Sequence, residues 1–175
     1  NEVTGVVTYK DVDKVLLQKT AHYTILNPLQ IGMCLAGASE DELSVVSIYS
    51  LEVGRAFQIV DDLLLFSDQN DKHPEQDIKE GKMTLLTCYA LQHTASDDLL
   101  FLQTQLGNQD LTQEEFERCK SIISASGARE YALDQAKKAL DRADEQFLEF
   151  PPHWNEANVS FLRGLSDYLR SKATE

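Results

Sequence analysis

Apolar residues recur at intervals of three and four along almost the whole chain. This spacing is typical of amphipathic α-helices, because residues three or four apart lie on one face of a helix. No segment shows the strict alternation of apolar and polar residues that predicts a half-buried β-strand. Glycine and proline are few, at 8 and 4 residues, and we find no internal repeat. The sequence therefore predicts an all-α fold, built as a helical bundle.

The first half of the chain is predicted to form three helical segments. We expect these helices over residues 10–18, 19–36 and 40–66. Pro28 falls inside the second segment, where a proline removes a hydrogen bond and bends the axis. Gly37 has the position of a helix stop signal. Ser39 and Glu42 have the S-x-x-E spacing of a capping box, which predicts that the third helix begins there.

The second half of the chain is predicted to form a polar loop and four more helices. We expect the loop over residues 67–81 and helices over 82–106, 112–126, 129–150 and 156–172. The first of these helices has a break signal in the polar stretch TASDD. Thr112 and Glu115 form a second capping box, and Gly127 closes that helix. Pro151 ends the helix that follows.

The composition is typical of a globular protein, and we expect a single helical domain over residues 1–175. The chain is 42% hydrophobic and 26% charged, which is far from the composition of a disordered protein. No apolar run approaches the ~20 residues that cross a membrane, so we do not expect a membrane-spanning protein. The three cysteines lack metal-ligand spacing, which indicates reduced thiols in the cytoplasm. The net charge of −13 would repel DNA, so we expect no nucleic acid partner.

Two adjacent carboxylates, Asp61 and Asp62, stand inside the apolar stretch EVGRAFQIVDDLLLFSD. On a helix Gln58 shares a stripe with both of them. A pair of enclosed like charges is costly unless a cation is near. Two carboxylates suit Mg²⁺, which keeps several waters and is completed by phosphate oxygens. The alternative interpretation is a pair of solvated acids on the protein surface.

Two other stretches contribute cations. QKTAHY contains Lys19 and Thr20, and DIKEGKMT contains Lys79 and Lys82. We expect Lys82 at the start of a helix, where backbone N–H groups also favour anions. Each lysine taken alone has an ordinary interpretation as a surface residue. Together with the acid pair, the lysines predict a diphosphate site in which carboxylates hold Mg²⁺ and lysines contact phosphate oxygens.

Three motifs in this order, KTAHY, GRAFQIVDDLL and DIKEGKMTLL, resemble the second half of the trans-isoprenyl diphosphate synthases, or polyprenyl synthetases. The stretches SGAREYALDQAKKALDRADEQF and LRGLSDYLRSK are similar to the C-terminal helices of this family, so the resemblance covers nearly the whole chain. The residues TLL at 84–86 and PL at 28–29 resemble most a bacterial branch with short- to medium-chain products. The resemblance implies the C-terminal part of the isoprenoid synthase fold.

The resemblance also implies a role for each matching residue. Asp61 and Asp62 match the second aspartate-rich motif of the family, which binds Mg²⁺ against the allylic diphosphate. The lysines that contact this diphosphate are Lys19 and Lys82. The implied catalytic residues are Lys19, Thr20, Gln58, Asp61 and Asp62, and the implied pocket-lining aromatic residues are Tyr23 and Phe57. We expect the charged and polar members of this set to converge on one cavity mouth.

The implied reaction is a Mg²⁺-dependent prenyl transfer. An allylic prenyl diphosphate ionises, isopentenyl diphosphate attacks the allylic carbon, a proton is lost, and diphosphate is released. Mg²⁺ is the implied cofactor, because a cation stabilises the charge on the departing diphosphate. A dry apolar pocket protects the allylic cation from water. The family also implies a cytoplasmic homodimer.

The chain departs from the family pattern in three respects. The last position of the aspartate-rich motif is Leu65, and the family's G-K-x-x-G element is absent, with only Lys72 in that loop. The first aspartate-rich motif is also absent, so we expect residues 1–175 alone to be inactive. A noncatalytic partner subunit of a heteromeric prenyl synthase is one alternative, and a purely structural bundle is another. We also expect unpartnered apolar faces at Ile25, Leu29, Met33, Val46, Tyr49 and Val53.

Overall fold

The computed structural model describes residues 7–63 and 75–173, and within these ranges the regular elements are all helices. They are α1 (Tyr9–Leu16), a π-helix (Leu17–Leu26), α2 (Asn27–Leu35), α3 (Glu40–Leu63), α4 (Glu75–Lys79), α5 (Leu85–His93), α6 (Ser96–Gln105), α7 (Gln113–Ala125), α8 (Ala128–Glu145), a 3₁₀ turn (Gln146–Leu148) and α9 (Glu156–Ala173). The predicted all-α class is confirmed for the described residues. The predicted end of the third helix, at residue 66, lies outside them.

Both predicted capping boxes are present. The backbone N–H of Ser39 donates to Glu42 Oε2 over 2.8 Å, and the backbone N–H of Glu42 donates to Ser39 Oγ over 3.3 Å. Thr112 and Glu115 make the same reciprocal pair at the start of α7. These bonds satisfy N–H groups that have no partner within the helix. The start of each helix is therefore fixed by its own local sequence.

Pro28 lies in the first turn of α2, inside a run that stays helical from the π-helix into α2, since Leu26 and Asn27 both have right-handed helical backbone angles. The bend expected at Pro28 stays a prediction. The preceding π-helix ends with Asn27 donating to the His22 carbonyl, five residues back. One local expectation was wrong, because Lys82 does not begin a helix. Thr84 caps α5, which begins at Leu85, so Lys82 lies in the connection that follows α4.

The chain divides into two compact units. Unit 1 comprises Asn1–Asp13 and Asp61–Ala132, and unit 2 comprises Lys14–Val60 and Leu133–Glu175. The expectation of a single helical domain over residues 1–175 stays a prediction.

The core of unit 2 contains much of α3. Its buried cluster is formed by Tyr49, Val53, Ala56, Ala139, Leu140, Ala143, Phe150 and Leu169. The Tyr49 hydroxyl donates to the Leu162 carbonyl over 2.7 Å, which satisfies a polar atom inside this core. Val46, Tyr49 and Val53 are each 0% exposed, so the expectation that they lack partners was wrong. Residues of α8 and α9 cover this face of α3.

In contrast to the covered face of α3, helix α2 has no buried residue. Ile31 and Leu35 are 60% and 86% exposed. Among the described helices α3 is the one that is long and apolar enough to cross a membrane. Three of its residues, Tyr49, Val53 and Ala56, belong to the buried cluster of unit 2.

The core of unit 1 is assembled from α4 to α7. Its fully buried side chains include Ile78, Leu86, Leu102 and Ile123. Tyr89 stacks on Tyr131, with ring centroids 4.5 Å apart, and Tyr9 packs against both rings. This core supports the connection between α4 and α5, where Lys82 lies.

Candidate functional site

In unit 2 the π-helix and α3 approach each other closely. A Cβ built on Gly54 would lie 2.6 Å from Ala21 Cβ, so only glycine fits at this position. Ala21 is 0% exposed, which shows that the contact is fully enclosed. One turn further along α3, Thr20 Oγ1 donates to Gln58 Oε1 over 2.6 Å. The close approach at Gly54 thus brings two of the predicted site residues into direct contact.

The other predicted site residues of unit 2 are less enclosed. Lys19 is exposed on the π-helix, one residue before the buried Thr20. Tyr23 is 78% exposed, and Phe57 packs against the core cluster of unit 2. Neither aromatic residue lines the groove of about 620 Å³ that this unit contains. Their assignment as pocket-lining residues stays a prediction.

In unit 1 a lysine is held between two carboxylates. Lys82 Nζ lies 3.0 Å from Asp62 Oδ1 and 3.0 Å from Asp77 Oδ2. The Asp62 side chain is 3% exposed and the Lys82 side chain 30% exposed. Burial disfavours the charged form of Lys82, but the two aspartates outweigh it and raise its pKa. Lys82 is therefore a charged ammonium at neutral pH, and we call these three residues the ion triad.

The donor set of unit 1 suits Mg²⁺ only together with phosphate oxygens. Across residues 7–63 and 75–173 no group of three or more His, Cys, Asp or Glu side chains forms a ready metal cage. The predicted ligands are Asp61, which is half-buried, and Asp62, which lies with Asp77 in the ion triad. Mg²⁺ is commonly held by one or two carboxylates, with waters and substrate phosphates as the remaining ligands. The residues present fit that kind of site.

The sequence did not single out Asp77 or Gly54. Asp77 lies in the stretch DIKEGKMT, which drew attention only for its lysines. Sequence spacing alone does not pair residues 77 and 82, although a lysine that becomes partly buried needs a partner of opposite charge. Leu65, which replaces the last aspartate of the motif, and Lys72, in the loop without the G-K-x-x-G element, lie outside the described residues. The convergence of the predicted site residues on one cavity mouth stays a prediction.

A second notable region of unit 2 is the groove between α2, the start of α3 and α9. Its walls include Leu29, Met33 and Leu162, and its rim carries Glu42. Trp154 Nε1 donates to Glu42 Oε1 over 2.7 Å. The Ser39 backbone N–H, followed by the Trp154 and Ser39 side chains, lowers the pKa of Glu42 to about 2. This carboxylate therefore joins the capping box of α3 to the segment before α9.

Comparison with known proteins gives a consistent result. The sequence model of the family described as polyprenyl synthetase matches residues 1–123. The geranylgeranyl diphosphate synthase of Saccharolobus solfataricus is 36% identical over 124 residues, which are 69% of this chain and 37% of that protein. The short chain isoprenyl diphosphate synthase of Methanothermobacter thermautotrophicus is 34% identical over 147 residues, which are 79% of this chain and 44% of that protein.

The fold of this chain also matches that of a solved structure. A geranylgeranyl pyrophosphate synthase of Corynebacterium glutamicum, crystallised with isoprenyl diphosphate and magnesium, superposes with a TM-score of 0.86 and 27% identity. The alignment covers 96% of this chain and 47% of that structure. The chain thus spans about half the length, or less, of the relatives that it matches.

Proposed function

Because the chain belongs to the polyprenyl synthetase family, we propose that its residues serve a Mg²⁺-dependent prenyltransferase. This enzyme condenses isopentenyl diphosphate with an allylic prenyl diphosphate and releases diphosphate. The similarity to geranylgeranyl and short chain isoprenyl diphosphate synthases supports the proposal. A similar solved synthase was crystallised with isoprenyl diphosphate and magnesium, which supports both the ligand class and the metal.

The ion triad is the observation that carries the proposal. Lys82 is a charged ammonium held at 3.0 Å from two carboxylates, so a cation and carboxylate oxygens lie together. Diphosphate binding requires both, since the ammonium pairs with phosphate oxygens and carboxylates hold Mg²⁺ against them. We propose that Asp61 and Asp62 bind Mg²⁺ and that Lys82 binds the allylic diphosphate.

The pair Thr20 and Gln58 is proposed to act at the reacting carbon. The hydrogen bond from Thr20 Oγ1 to Gln58 Oε1 fixes the carbonyl end of the glutamine, and this oxygen carries partial negative charge. A fixed dipole of this kind stabilises a developing cation without having to reorient during the reaction. We propose that Lys19, one residue before Thr20, contributes a second cation to the diphosphate. Tyr23 and Phe57 are proposed to line the pocket.

Bound Mg²⁺ would supply electrostatic stabilisation of the charge that develops on the leaving diphosphate. Leu63, the residue that follows Asp62, is buried and apolar and would help to exclude water from this position. We propose that the protein acts in the cytoplasm as a homodimer, with no nucleic acid partner. We also propose that residues 1–175 alone bind diphosphate but do not complete the reaction.

The proposal is tested by Asp62→Asn in the intact protein, with Asp167→Asn as the control. Asp167 is an exposed aspartate on α9 in unit 2. Loss of one stabilising electrostatic group typically lowers turnover by about 10²–10³. We therefore expect this loss for Asp62→Asn, measured as prenyl transfer at saturating Mg²⁺, and wild-type turnover for Asp167→Asn. Equal turnover in the two variants would contradict the role of Asp62.

A further inference from the structure

We propose that the turn over residues 105–110, between α6 and α7, positions Lys82 for the diphosphate. This inference rests on the proposed function, because it takes Lys82 as a diphosphate ligand. The turn lies more than 20 residues after Lys82 in the chain, and the Lys82 ammonium is paired with Asp62 and Asp77 rather than with the turn. Its effect passes through the backbone of α4, which directly precedes Lys82.

Two hydrogen bonds tie the end of α4 to this turn. The Gly107 backbone N–H donates to the Ile78 carbonyl over 2.8 Å. Gln109 Nε2 donates to the Lys79 carbonyl over 2.6 Å. A helix leaves its last carbonyls without partners within the helix, and α4 has only five residues. The turn therefore supplies donors to the last carbonyls of this short helix, which helps to keep its last turn in place.

Close backbone packing reinforces these bonds. Gly81 has a φ of +63°, and a Cβ built on it would lie 3.3 Å from the Gly107 backbone nitrogen. The two glycines thus allow the segment before Lys82 to rest directly on the turn. Ile78 is 1% exposed, so the contact is anchored in the core of unit 1.

The turn is itself held in one conformation. Asn108 Nδ2 donates to Gln105 Oε1 over 2.7 Å, and the Asp110 backbone N–H donates to Asn108 Oδ1 over 3.0 Å. Gln105 and Leu111 are buried on either side of it. Because these hydrogen bonds hold the turn in one conformation, the turn can restrict the movement of the end of α4.

The backbone of Lys82 is bonded directly to the end of α4, which the turn holds. The Lys82 backbone N–H donates to the Asp77 carbonyl over 2.8 Å, inside the same turn that Gly107 and Gln109 hold. Asp77 also contributes its Oδ2 to Lys82 Nζ. A shift of α4 would therefore move both the backbone of Lys82 and one of the carboxylates that orient its ammonium. Gln109 and the turn are positioning elements, whereas Lys82 contacts the ligand.

The test compares Gln109→Ala with Gln113→Ala in the intact protein. Gln113 is a matched control, because its Nε2 donates to Glu117 on the exposed face of α7 and makes no bond to α4. We expect Gln109→Ala to weaken the binding of magnesium pyrophosphate by about 2- to 10-fold, the range that one hydrogen bond supports. Amide exchange measured by NMR should increase at Gly107 and Lys82, and Gln113→Ala should change neither quantity.

A double variant separates positioning from general stability. In a Lys82→Ala background the Gln109→Ala change should weaken pyrophosphate binding no further, because its effect passes through Lys82. An additional loss of the same size in that background would overturn the inference. Equal binding by Gln109→Ala and Gln113→Ala would also overturn it. If Lys82→Ala binds pyrophosphate as tightly as wild type, the proposed function itself fails, which is a distinct result.

Discussion

The close approach of the π-helix and α3 makes a sharp prediction for Gly54→Ala. The new Cβ would lie 2.6 Å from Ala21 Cβ, whereas carbon atoms in contact prefer about 3.5–4.0 Å. Ala21 is 0% exposed and the obstacle includes its backbone, so no side-chain rotation relieves the clash. The π-helix must therefore move away from α3 by roughly 1 Å.

The expected magnitude follows from two opposing terms. Inserting a methyl group into a filled contact costs about 1–3 kcal/mol. Replacing a helical glycine with alanine stabilises the folded state by about 1 kcal/mol, because alanine has the higher helix propensity. Since the obstacle is backbone, we expect the upper part of the first range and a net loss of about 1–2 kcal/mol. The same shift would stretch the 2.6 Å bond between Thr20 and Gln58 beyond hydrogen-bond distance.

The assay is urea unfolding, with Gly164→Ala as the control. Gly164 lies on the exposed face of α9 in the same unit, and a Cβ built there would meet no atom within 4 Å. The control should therefore gain about 0.5–1 kcal/mol from helix propensity alone. We expect the two variants to shift the unfolding midpoint in opposite directions with unchanged slopes. A Gly54→Ala protein as stable as Gly164→Ala would refute the reasoning.

Two further predictions concern side chains that are readily probed in solution. The pKa of Glu42 is lowered to about 2, so its contribution to stability is present above the unfolded value of 4.5 and is lost as the pH falls towards 2. Glu42→Gln should be less sensitive to acid in this window, and the fluorescence of Trp154, the sole tryptophan, should report the change. Cys34 is exposed whereas Cys88 and Cys119 are buried, so Ellman's reagent should label one thiol in the native protein and three after denaturation. Rapid labelling of more than one native thiol would contradict the burial of the other two.

The sequence predicted those features that depend on neighbouring residues. The capping boxes at Ser39 and Thr112 need only a side chain three positions away, and both are present. Gly37 and Gly127 end helices with φ values of +83°, as their positions predicted. Thr84 was overlooked as a cap because its partner is Thr87 rather than an acid. The start of α5 was therefore placed three residues too early.

Contacts between distant segments were predicted poorly, because helical periodicity shows which face is apolar but not what covers it. Val46 and Tyr49 were expected to be unpartnered, yet α8 and α9 bury this face of α3. The role of Gly54 depends on Ala21, which is 33 positions away in the sequence. Motif order nevertheless selected Thr20 with Gln58 and Asp62 with Lys82, and each pair is in contact.

The charge of the ion triad leads to a last prediction, that pyrophosphate binding requires Mg²⁺. Asp62 and Asp77 carry two negative charges against the one positive charge of Lys82, and their contacting oxygens lie at most about 6 Å apart, since each is 3.0 Å from the same nitrogen. A bare diphosphate therefore meets a local excess of negative charge, within a chain of net charge −13. Calorimetry should detect little binding in EDTA and strong binding with Mg²⁺. Asp77→Asn removes one negative charge and should strengthen the metal-free binding. Equal affinity for pyrophosphate in EDTA and in Mg²⁺ would show that Asp61 and Asp62 do not hold the metal against the diphosphate.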